Sequence, residues 1–466
     1  MKQTELTSLK IMGHRTSKDY HNNCNDLNRL VALDSMTLEP VEAEWMYDGE
    51  TDIVTGSGFI DITSQKVLNV SANGYASIRL RPVNVSRIRE YTEAGDFHDA
   101  VLVVKNDQTI DGWGPNFSIS SIPAEENHNI IYVQPGKYAA TALRFDHSIF
   151  AWGEPEDGGE LKIGDDTRTD VKDVQMVAQM GLLLGSQPPV VSQWGKGSAG
   201  YNSVPDDVAN RTDIKKVLTN GYAQVALTET GQILEWGEND VFILPPRITD
   251  LTDVQDIYIS NSAAVALRKT GQLAAWGNPL TGGTLPDDIA ALTDIVRVIP
   301  GYECFTALRA DGSLVCWGQD FALPDSLKSL TGIVHVVYGM SHEVTYVYEG
   351  CTAYDINGLA YSWYGPGIED SVPEGLNNVV ALTSNGYNSF AALKSDGSVV
   401  AWGTDISGDT TPVNELLTNV QAIYPTTEGY LALKADGTMV AWGNPLRQND
   451  NASIPVALQG LVTYQY

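Results

Sequence analysis

An all-β fold assembled from repeated blades is what this sequence predicts, and three observations predict it. A Trp-Gly step recurs about every 40 residues, short alternating apolar runs surround it, and Asp-Gly pairs separate the runs. The tryptophans are Trp113, Trp152, Trp194, Trp236, Trp276, Trp317, Trp363, Trp402 and Trp442, spaced by 39, 42, 42, 40, 41, 46, 39 and 40 residues. Three or four short antiparallel strands in a unit of this length make one blade of a β-propeller. A single blade cannot bury both faces, so blades must stack, and the recurrent tryptophan is the natural packing residue between them.

Each element of the unit has a local reason. In TDIVRVIPGYECFTALRADGSLVCWG the first run is Ile295-Val296-Arg297-Val298-Ile299, followed by a Gly-containing turn. A second run follows, Phe390-Ala391-Ala392-Leu393-Lys394 in another copy, and then a tight turn at Asp311-Gly312, Asp396-Gly397 or Asp436-Gly437. Thr230-Gly231, Thr270-Gly271 and Asn357-Gly358 take the same place. Glycine there supplies the positive φ that a twisted hairpin turn demands. A third run such as Ser398-Val399-Val400-Ala401-Trp402 ends the unit, and a polar connection such as LPDDIAALTDI leads to the next. Three units depart from the pattern. The first has Asn106-Asp107 in place of Asp-Gly, the third has Gln187-Pro188-Pro189, and the seventh carries an insertion around EVTYVYEGCTAYDINGLAYSWYG. After Gly443, IPVALQGLVTYQY copies a connection and an opening strand, which suits closure of the ring onto the first unit.

The order Gly-turn, A-L-K/R-x-D-G, strand, W-G resembles the regulator of chromosome condensation repeat family over roughly residues 87–466. The short unit is similar to bacterial members, among them propeller-type inhibitors of β-lactamase. The resemblance implies a propeller of seven to nine blades that binds a protein and catalyses nothing. Residues 1–86 lack the repeat. Alternating segments at Leu30–Leu33, Glu42–Met46, Gly58–Ile62 and Ala76–Leu80 predict a small, sandwich-like β domain there, after a flexible polar start.

Composition narrows the partners. With 29 Lys+Arg against 58 Asp+Glu the formal net charge is -29, a field that repels phosphate backbones and anionic lipids. Nucleic acid and membrane insertion are therefore not expected. A protein partner is expected, and recognition within a secreted toxin or carbohydrate-binding system is the alternative. The start of the chain has no apolar core of a secretory signal, which predicts a cytoplasmic protein or one exported without a classical signal peptide.

No catalytic residue, metal site or cofactor is predicted. The seven histidines sit in no zinc-protease or nucleophile-elbow context. His14, His21 and Cys24 lack a fourth ligand of suitable spacing, and His147 occupies a hairpin turn. Asp165-Asp166, Asp206-Asp207 and Asp287-Asp288 read as solvated connections. Placing Ala310 opposite Ser313 puts Cys304 and Cys316 on opposite faces of their hairpin, so no disulfide is expected between them.

The candidate binding residues are tyrosines beside the turns between first and second strands: Tyr138, Tyr222, Tyr302, Tyr387 and Tyr430. Corresponding positions in successive blades share one rim, and tyrosine gives a large contact area at small entropic cost. Packing of each ring on its own blade is the competing expectation.

Overall fold

The computed structural model describes residues 7–16, 28–82, 85–91, 97–114, 122–136, 138–177, 180–196, 203–220, 223–237, 244–319, 321–343, 346–364, 372–385, 389–403, 408–426, 429–444 and 454–466. From Val85 onward these residues form nine three-stranded antiparallel sheets, one for each Trp-Gly unit. Their first strands are Val85–Tyr91, Ile130–Pro135, Val171–Val177, Ile214–Thr219, Val254–Ile259, Ile295–Pro300, Ile333–Glu343, Val379–Ser384 and Val420–Thr426. The sheets are numbered here as blades 1 to 9. In place of a fourth strand, several connections hold a helix of three to six residues, such as Asp206–Ala209 or Thr411–Leu416.

All nine tryptophans are buried, and each joins a core shared with the preceding blade. Trp276 of blade 5 packs with Val225 and Leu227 of blade 4, and Trp442 of blade 9 packs with Ala391 and Leu393 of blade 8. Trp113 of blade 1 packs with Leu431, Leu433 and Ala441 of blade 9, which closes the ring. A second seam is polar. The carbonyl of the glycine that closes the turn between second and third strands accepts the first strand-forming N–H of the next blade from blade 4 to blade 8: Val254 donates to Gly231, Ile295 to Gly271, Ile333 to Gly312, Val379 to Gly358 and Val420 to Gly397. Between blades 9 and 1 the C-terminal segment takes the place of a connection. Gly460 N–H donates to Gly437, the Asn106 N–H donates to Leu461, and Tyr466 N–H donates to Arg79.

The surroundings of the buried indole N–H groups come from the preceding blade and its connection, and they differ between junctions. Trp194 donates to Gly158 O and Trp317 to Gly282 O, each at 3.0 Å, from Gly-Gly turns of left-handed φ. In both cases the residue before the preceding tryptophan is alanine, Ala151 or Ala275. In two blades whose following connection lacks a Gly-Gly turn, that residue is polar. The Glu235 carboxyl lies against the Trp276 indole, and the Cys316 thiol lies against that of Trp363. Burial pushes the Glu235 carboxyl up to about 8, with Trp276 opposing the shift. A folded-state value above the unfolded 4.5 means that stability present at acid pH is lost as pH climbs from about 4.5 to about 8. Glu235→Gln is expected to be neutral at pH 5 and to stabilise by about 1 kcal/mol at pH 9, a figure discounted for solvent screening of a half-buried group. Thermal melts of both proteins at the two pH values check this.

The hairpin register corrects one expectation. Leu308 pairs with Leu314 and Thr306 with Cys316, because the turn holds three residues between Arg309 and Ser313 with Gly312 at φ +79. This is a type I turn with a bulge, not a two-residue turn. Cys304 and Cys316 therefore share a face, and both remain free thiols. In blade 1 the turn pair is Asp107-Gln108, one residue later than expected, with Gln108 at φ +65.

Residues 9–80 form two further sheets. One joins Leu9–Met12, Asn28–Asp34 and Gly58–Asp61; the other joins Val54–Gly56, Ala43–Tyr47, Leu68–Ser71 and Ile78–Leu80. They pack face to face, with Trp45 stacked on Phe59 at 5.3 Å. The expected flexible start lies largely outside the described residues. The three-stranded sheet leans on blades 8 and 9: Met12, Val31 and Leu33 pack with Ala381 and Ile423, and Gly13 N–H donates to Gln421 O. A buried ion pair ties the two sheets together. Arg15 meets Asp61 at 2.6 Å, Tyr47 donates to the same carboxylate at 2.8 Å, and Arg15 also donates to the carbonyls of Lys66 and Arg81.

Candidate binding rim

The rim is the edge at which first strands turn into second strands. Tyr138 and Tyr302 are half-buried there. Tyr138 stands immediately before its second strand, Ala139–Arg144, and its carbonyl accepts the Glu154 N–H. Tyr302 lies between Ile295–Pro300 and Cys304–Arg309; its ring packs against the core shared by blades 6 and 7. Its N–H donates to the Tyr338 hydroxyl of blade 7 at 2.9 Å, and its carbonyl accepts from Asn261 of blade 5. Tyr302 thus bridges three blades along the rim. Tyr222 and Tyr387 lie outside the described residues.

Tyr430 is a correction. It lies inside the second strand of blade 9, Gly429–Lys434, and is fully buried. Its ring stacks on Trp442 at 5.2 Å, as Phe305 stacks on Trp317 and Phe390 on Trp402. All three aromatics stand twelve residues before the tryptophan of their own unit. The Tyr430 hydroxyl pairs with Ser389 at 2.9 Å and accepts the Asn385 N–H of blade 8. Tyr430→Phe is expected to cost about 1 kcal/mol through the lost hydrogen bonds. Tyr430→Ala is expected to cost about 3–5 kcal/mol through the cavity. Urea unfolding of the two variants reads both values.

The insertion of unit seven has a definite form on this rim. Its first two strands, Ile333–Glu343 and Tyr346–Asp355, run 11 and 10 residues, against six in blades 4, 5 and 6. The register continues without a break from Val336–Ala353 to Glu343–Tyr346. The hairpin therefore extends past the neighbouring turns next to Tyr302. Sequence reading marked the insertion but not its role; the unbroken strand pattern VYGMSHEVTYVYEG was the available signal.

Among the described residues no three His, Cys, Asp or Glu side chains converge to hold a metal. His21 and Cys24 lie outside the described residues, and His14 is buried, its imidazole pushed down to about 4 by that burial. Asp165 is buried and accepts from Ser192, while Asp206 and Asp287 open short helices. No helix of the described residues is long and apolar enough to cross a membrane.

No protein-family model matches the chain, and no curated protein is similar to it. Solved propellers are. The WD40 ectodomain of the Arabidopsis thaliana receptor kinase ACR4 is 16% identical, with 61% of this chain and 97% of that one covered at a TM-score of 0.37. Saccharomyces cerevisiae Prp20p, described with its binding to Gsp1p and histones, is 15% identical over 71% and 82% of the two chains, TM-score 0.37. The computationally designed Ika8 protein is 17% identical over 68% and 98%, TM-score 0.38.

Proposed function

We propose that this chain is a non-catalytic propeller that binds a protein at the rim carrying Tyr138, Tyr302 and the long hairpin of blade 7. One observation carries the reading. A hairpin of 11 and 10 residues extends beyond the turn of neighbouring blade 6, whose strands have six, beside a half-buried tyrosine whose backbone is fixed by its neighbours' hydrogen bonds. Such a preorganised aromatic next to a protruding edge suits a binding hot spot. The repeat's resemblance to the regulator of chromosome condensation family and its inhibitor-like bacterial members agrees with this reading.

Capture from lysate with immobilised chain tests it. Tyr302→Ala, and separately replacement of Met340–Glu349 by a two-residue turn, are expected to lower retention of a specific protein at least tenfold. Both should still melt in one cooperative transition, because the fixing bond of Tyr302 comes from its backbone, although its ring gives up part of its packing on blades 6 and 7. Unchanged retention in both variants would remove the rim from consideration, and glycan-array binding without protein capture would favour the carbohydrate alternative.

A further inference from the structure

The seam between the N-terminal sheets and blade 9 holds a buried histidine. Gly13 N–H donates to Gln421 O at 3.1 Å across this seam, and the Gln421 side chain donates back to Ile11 O at 3.0 Å. Lys10 adds a bond to Ser395 O of blade 8 at 3.2 Å, and Arg29 one to the Tyr354 hydroxyl of blade 7 at 2.9 Å. The remaining contact is apolar, with Met12, Val31 and Leu33 against Ala381 and Ile423. His14 directly follows the Gln421 bonds and is 2% exposed. Its ring centre lies 6.4 Å from that of the buried Tyr424, which stands three residues after Gln421 on the same strand of blade 9.

These surroundings suit an imidazole and not an imidazolium. The next residue, Arg15, is already a buried cation. The neighbouring acid, Asp61, accepts from the Arg15 guanidinium at 2.6 Å and from the Tyr47 hydroxyl at 2.8 Å. Lys66 and Arg81 contribute backbone carbonyls, and both accept from Arg15. Blade 9 and the C-terminal segment contribute Tyr424 and Tyr464, phenols that burial keeps neutral. A proton on His14 therefore puts a second buried cation beside a single, occupied carboxylate. Burial pushes the imidazole down from 6.5 to about 4, with Asp61 opposing. The closed seam thus takes up a proton only near pH 4, whereas a solvated His14 does so from 6.5 downward. Closure is at full strength above pH 6.5 and weakens as pH falls from there toward 4.

We propose that this seam is an acid-sensitive latch: proton uptake by His14 opens the contact between the N-terminal sheets and blades 8 and 9. The bonds of the Arg15–Asp61 cluster all lie within residues 15–81 and move with the sheets. On the far side Arg81 N–H donates to Tyr464 O and Tyr466 N–H to Arg79 O, and these bonds to the C-terminal segment serve as the hinge. Opening brings the imidazole to water and bares Met12, Val31 and Leu33 on one face and Ala381 and Ile423 on the other. An acidic medium thus exposes an apolar surface that neutral pH keeps closed. The rim tyrosines take no part, so the latch stands or falls apart from the rim reading.

Hydrogen exchange on the full chain at pH 7.5 and pH 5, corrected for the pH dependence of the chemical rate, tests this. The Gly13 amide is held by Gln421 and exchanges only when the seam opens. Its protection is expected to fall about 30-fold between the two pH values, the ratio that proton affinities of 6.5 and about 4 give. The Val254 amide, which bonds Gly231 between blades 4 and 5, should keep its protection. His14→Gln and His14→Phe should each flatten the response of Gly13. Gly13 protection that does not change with pH, that falls equally in both variants, or that falls in step with Val254 would overturn the proposal. Where the variants are already open at pH 7.5, titration of the His14 ring in the parent by NMR decides. Its midpoint is expected below the ordinary 6.5, and a midpoint at or above that value overturns the latch.

Discussion

Removal of Leu461–Tyr466 is expected to lower the melting temperature by about 10 °C or more, or to leave the chain unable to fold. Val462 and Tyr464 are buried in the core that holds Trp113 against blade 9. Each contributes about 1.5–3 kcal/mol by burial alone. The same six residues satisfy the Asn106 turn, with Leu461 O accepting its N–H and Thr463 donating to its side chain at 2.8 and 3.1 Å. They also pair with Arg79 and Arg81 of the adjoining sheet. Scanning calorimetry of the truncated chain reads the effect. Loss of the half-exposed Tyr466 alone, whose ring lies under Arg79 and Arg81, should shift the midpoint by only about 2 °C. A midpoint unchanged by the full truncation would mean that the ring holds without this closure.

Asp61→Ala is expected to destabilise by about 3–5 kcal/mol. The Arg15 guanidinium is only 1% exposed and has no other carboxylate partner among the described residues. Removing the acid leaves a buried cation facing the Lys66 and Arg81 carbonyls and takes the acceptor from the Tyr47 hydroxyl, which keeps only the Thr63 N–H. The pair Asp61→Leu with Arg15→Met should recover much of the loss, since burying two ions is itself costly. Urea unfolding of the single and double variants measures the coupling; equal midpoints for parent and Asp61→Ala would show that the pair does not hold the two sheets.

The blades were readable because their determinants are local. Strand alternation and turn residues act within a dozen residues, and all nine units form three-stranded sheets, including those whose turn lacks a glycine. What escaped reading depends on contacts between units. The strand Leu9–Met12 is short and gains its burial from Ala422 and Val31. Tyr430 was placed on the rim because its glycine neighbour was taken as a turn; counting back from Trp442 instead aligns it with Phe305 and Phe390 in the core. The β-bulges near the start of the first strands had a signal of their own. The openings VKDV, IKKV, VQDI and IVRV place a polar or charged residue just where an alternating strand should face inward. That break in period is the bulge.

The two kinds of partner for the tryptophan indole bear on how such a chain can be copied and rearranged. A unit counted from its first strand to the end of its connection carries one indole and a receptor for the next unit's indole, but not the receptor for its own. Blade 4 brings Glu235 to its successor, whereas blade 5 brings the Gly282 carbonyl. Exchanging these two units would give Trp317 a carboxyl and Trp276 a carbonyl, a tolerable trade. Moving only the third strand of blade 5 into blade 4 would take the Glu235 carboxyl away from the Trp276 indole without bringing the Gly282 carbonyl in its place. At junctions of the Gly282 kind, acceptor and connection travel together, so a fragment copied or grafted there ends after the connection and not at the Trp-Gly step.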